Sequence, residues 1–190
     1  MLAAKHIGQI TGLRTRIESL IISLRFFWRA KTSIRGLSTT YKVCLMRPSL
    51  DMVMMGCAIA LSHRATCMKR SVGCVLTDAR GFILSTGYNG VAAGLPHCIE
   101  HGCGGELSAV GSDTCQAVHA EINALIRCKD LDAVHTCYTT TFPCNNCMKT
   151  LLNTNCAIIV YMEDHPGGHL VRQRWLEAGR SVKTIENDRK

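Results

Sequence analysis

Two short segments constrain this chain more than any other feature: His119-Ala-Glu121 and Pro143-Cys-Asn-Asn-Cys147. Each lies at the start of a run whose apolar residues recur at helical spacing, so each is predicted to open a helix. Cys144 and Cys147 are three residues apart, which lets both thiols reach one metal ion, and His119 supplies a third ligand from the other helix. A fold that satisfies this pattern must bring two helix N-termini together.

Three nitrogen and sulfur ligands with a fourth position left open are typical of a catalytic zinc site. Glu121 is predicted to reach the same cleft as His119 without becoming a ligand. Zinc lowers the pKa of a bound water toward neutrality, and a carboxylate placed there accepts the proton and returns it to the substrate. We therefore predict that Glu121 is the catalytic residue and that His119, Cys144 and Cys147 hold zinc. A structural zinc site or a redox pair would leave Glu121 without a task.

The remaining pattern predicts an α/β fold. The predicted helices cover 50–65, 119–129, 144–152 and 169–178. The predicted strands cover 72–77, 82–86, 136–141, 157–161 and 182–185. A helix followed by a hairpin, and then by alternating helices and strands, predicts a three-layer α/β/α sandwich around a mixed central sheet. Residues 91–116 are rich in Gly, Cys and Ser and have no period, so they are predicted to form a long loop.

The distribution of charge separates residues 1–47 from residues 48–190. Nine of the 22 Lys and Arg residues lie in 1–47 together with a single acid, Glu18. Residues 48–190 hold 13 basic and 13 acidic residues, so the net charge of +8 belongs to the N-terminal segment. A groove for a polynucleotide needs its excess positive charge on the folded domain, so we expect no nucleic-acid partner.

We interpret residues 1–47 as a basic N-terminal extension and residues 48–190 as a single domain. The stretch from Arg14 to Arg29 predicts a basic amphipathic helix, as in a mitochondrial transit peptide, and a disordered tail is the alternative. These interpretations place the protein in mitochondria or in the cytoplasm. The longest apolar run near the N-terminus, Ile17 to Trp28, is interrupted by charges and too short to cross a membrane.

At these residues the chain resembles the cytidine deaminase superfamily and, within it, the deoxycytidylate (dCMP) deaminases. The resemblance rests on Ser85-Thr-Gly-Tyr-Asn-Gly90, His119-Ala-Glu-Ile-Asn-Ala124 and Phe142-Pro-Cys-Asn-Asn-Cys147. It implies a cytidine deaminase-like sandwich and the hydrolysis of dCMP to dUMP and ammonia, which supplies thymidylate synthesis. It also implies a homo-oligomer, often a hexamer, with dCTP and dTTP as effectors and Mg²⁺ bound with the effector.

The resemblance also assigns residues to the substrate. Asn89 would bond the sugar hydroxyl, although an Asn in Tyr-Asn-Gly is also the residue type that a left-handed turn favours. The backbone of Ala120 and the backbone near Pro143 would contact the edge of the base. Many relatives have a second aromatic Tyr where this chain has His165, whose ring can stack and whose titration adds a pH dependence.

The cysteines outside the first site suggest a second, structural zinc. In several relatives such a zinc ties the insertion after the hairpin to the end of the first helix, and two cysteines of this chain lie at positions that resemble its ligands. The expected ligands are Cys67, Cys98, Cys103 and Cys115, with His97 or His101 as substitutes. Four soft ligands would order a Gly-rich loop that has little apolar surface to bury. Reduced loop thiols are the alternative.

Other functions are compatible with the same motif. Deaminases of this chemistry act on cytidine, dCTP, guanine, tRNA adenosine or a precursor of riboflavin. The Gly-Tyr-Asn-Gly element and the neutral domain favour a free nucleotide over a polynucleotide. A catalytically silent zinc module is an alternative of a different class, and the intact Glu121 argues against it.

Overall fold

A mixed five-stranded sheet organises the part of the chain that the computed structural model describes, residues 47–102 and 115–185. The helices are α1 (Leu50–Ser62), α2 (Cys98–His101), α3 (Ala120–Arg127), α4 (Asn145–Leu152) and α5 (Gly168–Glu177). The strands are β1 (Gly73–Thr77), β2 (Ile83–Tyr88), β3 (Gly90–Val91), β4 (Ala117–Val118), β5 (Thr136–Thr141), β6 (Ile158–Glu163) and β7 (Ser181–Thr184). The sheet has the order β2-β1-β5-β6-β7, and β3 and β4 form a separate pair.

One strand of the sheet, β1, runs opposite to the other four. β1 is antiparallel to β2 and to β5, whereas β5, β6 and β7 run parallel to one another. Parallel neighbours need a crossover, and α4 and α5 provide the two crossovers. The parallel half therefore places the start of α4 beyond the carboxyl end of β5, which is where open α/β sheets bind their ligands.

Alternation of side chains along the strands divides the core into two layers. On one face, Val75, Tyr138 and Val160 pack with Met55 and Ala58 of α1. On the other face, the intervening strand residues pack with three helices, α3, α4 and α5. That larger cluster includes Cys74, Leu76, Cys137, Ile159, Ala124, Leu151 and Trp175. One helix on one face and three on the other confirm the predicted three-layer sandwich around a mixed sheet.

Polar contacts fix the first turn of α1 to the sheet. The Ser49 hydroxyl caps the helix by accepting the N–H of Met52 at 3.2 Å. The carboxylate of Asp51 accepts the hydroxyl of Tyr138 at 2.8 Å and lies 3.3 Å from the Lys183 ammonium. Because Tyr138 belongs to β5 and Lys183 to β7, Asp51 joins α1 to two strands.

The prediction of an irregular loop over 91–116 is wrong in part. β3 pairs with β4, so the two ends of this insertion are held together, and the one-turn helix α2 lies within it. The N–H of Ile99 donates to the carbonyl of Thr66 at 3.2 Å, which attaches α2 to the segment after α1. Strands of two residues and a helix of four are too short to show a period, so the pattern could not reveal them.

The N-terminal extension lies outside the described ranges except for Arg47. Its boundary with the domain and both of its interpretations stay predictions. None of the helices in the described ranges has the length and apolar character that crossing a bilayer requires.

The end of β2 lies directly against the first turn of α3. A Cβ atom at Gly87 would lie 2.2 Å from the carbonyl oxygen of Ala120 and 2.5 Å from the backbone nitrogen of Ala124. Only a residue without a side chain permits this approach. Gly87 therefore sets how closely the N-terminus of α3 can approach the sheet.

We expect Gly87→Ala to lower the free energy of unfolding by about 1–3 kcal/mol, because the backbone of α3 cannot move aside as a flexible side chain could. Gly56→Ala is the matched control, since a Cβ at this position of α1 meets nothing within 4 Å. Alanine at Gly56 should raise the free energy of unfolding by up to about 1 kcal/mol. Urea denaturation followed by circular dichroism measures both, and a Gly87→Ala protein as stable as the wild type would contradict the close approach.

Candidate active site

The N-termini of α3 and α4 carry the predicted ligands. His119 is the N-cap residue of α3, and Cys144 is the N-cap residue of α4. Neither side chain accepts a capping hydrogen bond from its own helix. The imidazole and the thiol are therefore available to partners outside their helices, and both lie at the positive end of a helix dipole.

His119, Cys144 and Cys147 form a compact cluster. The Nδ1 atom of His119 lies 3.4 Å from the Sγ atom of Cys144 and 3.4 Å from that of Cys147. Tetrahedral zinc with ordinary Zn–N and Zn–S bond lengths would place such nitrogen and sulfur atoms about 3.6 Å apart. The donor set and its spacing therefore fit zinc. In residues 47–102 and 115–185, no other three His, Cys or acidic side chains form such a group.

Charge at the cluster is shared between its members. The pKa of the Cys144 thiol falls to about 3, chiefly because Cys147 donates a hydrogen bond to it, with a further contribution from His119. The same hydrogen bond raises the pKa of Cys147. The Cys144 thiolate also raises the pKa of His119 by accepting its hydrogen bond. The cluster thus combines a thiolate with protons that a metal ion would displace.

Glu121 lies in the first turn of α3 and is only 3% exposed. Burial raises the pKa of its carboxyl group above the ordinary value, and the negative charge of Cys144 adds to the rise, whereas His119 opposes it. A carboxyl group with a raised pKa can both accept and donate a proton near neutral pH. The structure therefore brings Glu121 beside the three predicted ligands.

A cleft of about 650 Å³, including its open mouth, lies beside this cluster and is lined by Glu121, His119 and Cys144. The other residues that line it come from the segment before β1, the end of β2, β4 and the segment before it, the start of α3, the β5–α4 turn and the loop after β6. They are Cys67, Lys69, Arg70, Val72, Asn89, Cys115, Ala117, Ala120, Thr141, Phe142 and His165.

Asn89 lies in the cleft wall and is 6% exposed. Its Oδ1 atom accepts the N–H of Val72 at 2.7 Å, and its Nδ2 atom donates to the carbonyl of Arg70 at 2.8 Å. The alternative reason for an Asn at this position, a left-handed turn, is wrong. No non-glycine residue in the described ranges has a positive φ. Each end of the amide keeps one further hydrogen-bonding position, so the predicted contact with a sugar hydroxyl is compatible with this role.

The other predicted substrate residues are placed differently from one another. Ala120 is buried and lines the cleft at the start of α3. His165 is half-buried and lines it too, and its Nδ1 atom donates to the carbonyl of Pro166 at 2.6 Å. Pro143 is buried but is not among the lining residues, whereas Phe142 before it is.

Lys69 and Arg70 line the cleft and were not predicted. Both are half-buried, and the backbone of Arg70 is held by Asn89. The net charge of residues 48–190 is zero, but a net charge does not show where individual charges lie. Two cations can therefore lie side by side in a domain that is neutral as a whole. The available signal was the adjacent pair of basic residues just before a buried strand.

The predicted ligands of the second zinc are only partly described. Cys67 and Cys115 line the cleft, and Cys98 is buried at the start of α2. The hydrogen bond from Ile99 to Thr66 brings the residues that follow Cys98 and precede Cys67 together. Cys103 lies outside the described residues, and the described members form no metal cluster by themselves. The second site stays a prediction.

Comparison with known proteins gives a family and a fold. Residues 48–163 match the family described as the cytidine and deoxycytidylate deaminase zinc-binding region. Deoxycytidylate deaminase of Saccharomyces cerevisiae is 32% identical over 179 residues, which are 85% of this chain and 57% of the yeast protein. Deoxycytidylate deaminase of Mycobacterium phage D29 is 33% identical over 130 residues, which are 63% of this chain and 99% of the phage protein. The chain thus spans little more than half the length of the yeast relative.

The fold is similar to the crystal structure of dCMP deaminase from the cyanophage S-TIM5 in complex with dCMP and dUMP. The TM-score is 0.60 and the sequence identity 22%, over 74% of this chain and 99% of that chain. At this identity the likeness establishes the architecture alone.

Proposed function

Because the chain belongs to the cytidine and deoxycytidylate deaminase family, we propose that it hydrolyses dCMP to dUMP and ammonia. The observation that carries the proposal is the convergence of His119, Cys144, Cys147 and Glu121 beside one small-molecule cleft. The relatives that are named deoxycytidylate deaminases support the choice of substrate. The overall reaction adds one water and releases the exocyclic amine of the cytosine ring.

His119, Cys144 and Cys147 would hold zinc, which when bound supplies a Lewis acid that lowers the pKa of water at an open fourth position. The two helix N-termini support this ligand set, since their positive ends stabilise thiolate charge. Cys147 is buried, whereas Cys144 is half-buried and lines the cleft, so the metal ion would lie at the edge of the cleft that the substrate enters.

Glu121 would move the protons of the reaction. Its carboxylate accepts one proton from the attacking water and gives it to the ring nitrogen. It then accepts the second proton, from the hydroxyl group newly bonded to the ring carbon, and gives it to the amine as the carbon–nitrogen bond breaks. Burial supports this role, because it narrows the gap between the pKa of Glu121 and neutral pH. The carboxyl group thereby serves as base in one step and as acid in the next.

Lys69 and Arg70 would bind the 5′-phosphate. Two half-buried cations that line the same cleft suit a dianionic group on a small molecule. This favours a nucleoside monophosphate over free cytidine or guanine, which carry no phosphate. The two cations do not distinguish dCMP from dCTP, which is the main alternative substrate. They give no support to a tRNA adenosine deaminase or to a silent zinc module.

We also propose, on family membership, a homo-oligomer with dCTP and dTTP as effectors and Mg²⁺ bound with the effector nucleotide.

The second zinc is proposed on Cys67, Cys98, Cys103 and Cys115. It is supported by the attachment of α2 to the segment after α1, which brings two of these cysteines into neighbouring positions along the contact.

Replacement of Glu121 by Gln keeps the size of the side chain and removes its proton transfer. We expect kcat for dCMP to fall by about 10²- to 10⁴-fold while zinc content and dUMP binding are retained. Ammonia release measures turnover, and atomic absorption measures zinc. Glu177→Gln, the same change on the exposed end of α5, is the control. Turnover near the wild-type rate in Glu121→Gln would sink the assigned mechanism.

Removal of either cation should discriminate between substrates. We expect Arg70→Met and Lys69→Met each to raise KM for dCMP by at least about 10-fold, the size of a lost hydrogen bond to a charged group. Activity on deoxycytidine should be unchanged, and Arg64→Met, at an exposed position after α1, should leave both substrates unaffected. Equal losses on the two substrates would contradict a phosphate site.

A wider panel with dCTP, cytidine, guanine and tRNA, with and without added dCTP, tests the alternatives and the effector.

Metal analysis tests both zinc sites. We expect about two zinc ions per chain, one for each site. Cys144→Ser should lose one ion and all activity, whereas Cys98→Ser should lose the other and lower the melting temperature. Cys128→Ser, a half-buried thiol bonded to the carbonyl of Asp130, should lose neither. A single zinc that Cys98→Ser leaves in place would remove the second site.

A further inference from the structure

Asn123 bridges two segments that are far apart in the sequence, the end of β2 and the end of β4. Its Nδ2 atom donates to the carbonyl of Tyr88 at 2.9 Å and lies 3.5 Å from the carbonyl of Val118. Its backbone N–H donates to the carbonyl of His119 at 2.9 Å. Tyr88 ends β2 and Val118 ends β4, so one amide group is shared by a sheet edge and by the entry to α3.

On one side, this bridge leads to the cations. Tyr88 immediately precedes Asn89, whose amide holds the backbone of Arg70 and Val72 at 2.8 and 2.7 Å. Through Asn89, the segment of Lys69 and Arg70 is therefore connected to the strand end that Asn123 contacts. On the other side, Val118 immediately precedes His119, the histidine ligand.

The contacts of the amide select asparagine. Two carbonyl oxygens on the inner side require a donor with two hydrogens, which the NH₂ group supplies and a carboxylate does not. On the outer side, Nη1 of Arg127 donates to Oδ1 of Asn123 at 3.1 Å. An arginine can only donate, which identifies the outward atom as the oxygen, and the two inward carbonyls by themselves require the NH₂ group on the inner side.

The cleft wall and the metal cluster differ in what else holds them. His119 would remain tied to Cys144 and Cys147 through a shared metal ion, independently of Asn123. The end of β2 is held on its other side by β1, through the pairing of Tyr88 with Gly73 and the N–H of Asn89, which donates to the carbonyl of Val72 at 3.1 Å. Loss of the bridge should therefore shift the wall that carries Asn89 and the cations relative to α3, while leaving the metal cluster in place.

We propose that Asn123 is a positioning residue that sets the distance between the phosphate-binding wall of the cleft and its catalytic centre. The inference rests on the proposed function, because it assigns the wall to a nucleotide phosphate. Asn123 touches neither substrate nor metal in this arrangement, and it acts through Tyr88 and Asn89.

The test compares Asn123→Asp with Arg127→Ala. Asn123→Asp keeps the size of the side chain and the acceptor for Arg127, but it places a carboxylate oxygen against the carbonyl of Tyr88. We expect KM for dCMP to rise about 3- to 10-fold, the size of one lost hydrogen bond, with kcat and zinc content unchanged. Deoxycytidine, which lacks the phosphate, should be affected less. Arg127→Ala leaves both inward contacts intact and should match the wild type.

Binding of dCMP to Asn123→Asp in the inactive Glu121→Gln background separates positioning from turnover. A matching rise in Kd supports the inference. An unchanged KM, or a fall in kcat together with loss of zinc, overturns it. Should Asn123→Asp fail to fold, Asn123→Ala removes the donors without adding charge, and the same KM-against-kcat split is required. A wild type without activity on dCMP overturns the proposed function, whereas an active wild type with an indifferent Asn123 variant overturns this inference alone.

Discussion

The imidazole of His119 and the thiols of Cys144 and Cys147 belong to two different helices, and their ligand atoms must nevertheless meet at one point. This requirement governs the layout of the surrounding structure. The parallel strand β5 delivers α4 to the edge of the sheet, and the close approach at Gly87 delivers α3 to the same edge. Neither His119 nor Cys144 accepts a capping hydrogen bond from its own helix, so both N-cap side chains are available to face each other.

The electrostatics of the site follow from the same meeting of helix ends. Two positive helix ends favour the thiolate, and burial of Glu121 works in the opposite direction by favouring its protonated form. A site that holds a thiolate beside a carboxyl group of raised pKa suits metal binding and proton transfer together. The physical basis of the proposed deamination is therefore a contrast between two neighbouring acidic groups, a thiol whose pKa is lowered and a carboxyl group whose pKa is raised.

The cleft has two parts that are stabilised by different means. The catalytic part is held by side-chain ligands that converge on one position, whereas the wall with Lys69 and Arg70 is held by amide hydrogen bonds from Asn89 and Asn123. These bonds are neutral and short, and each connects segments far apart in the chain.

Ligand identity and strand periodicity were accessible from the sequence because both are local. The spacing of Cys144 and Cys147 and the largely β-branched and aromatic run of β5, predicted at Thr136–Thr141 and found there, need only neighbouring residues to be recognised. Tertiary structure alone decided which polar groups face the cleft. Asn123 and Tyr88 are 35 residues apart, and a contact at that separation leaves no periodic trace in the chain. The position of Lys69 and Arg70 in the cleft could not be predicted for the same reason, since an adjacent basic pair does not show which residues lie opposite it in space.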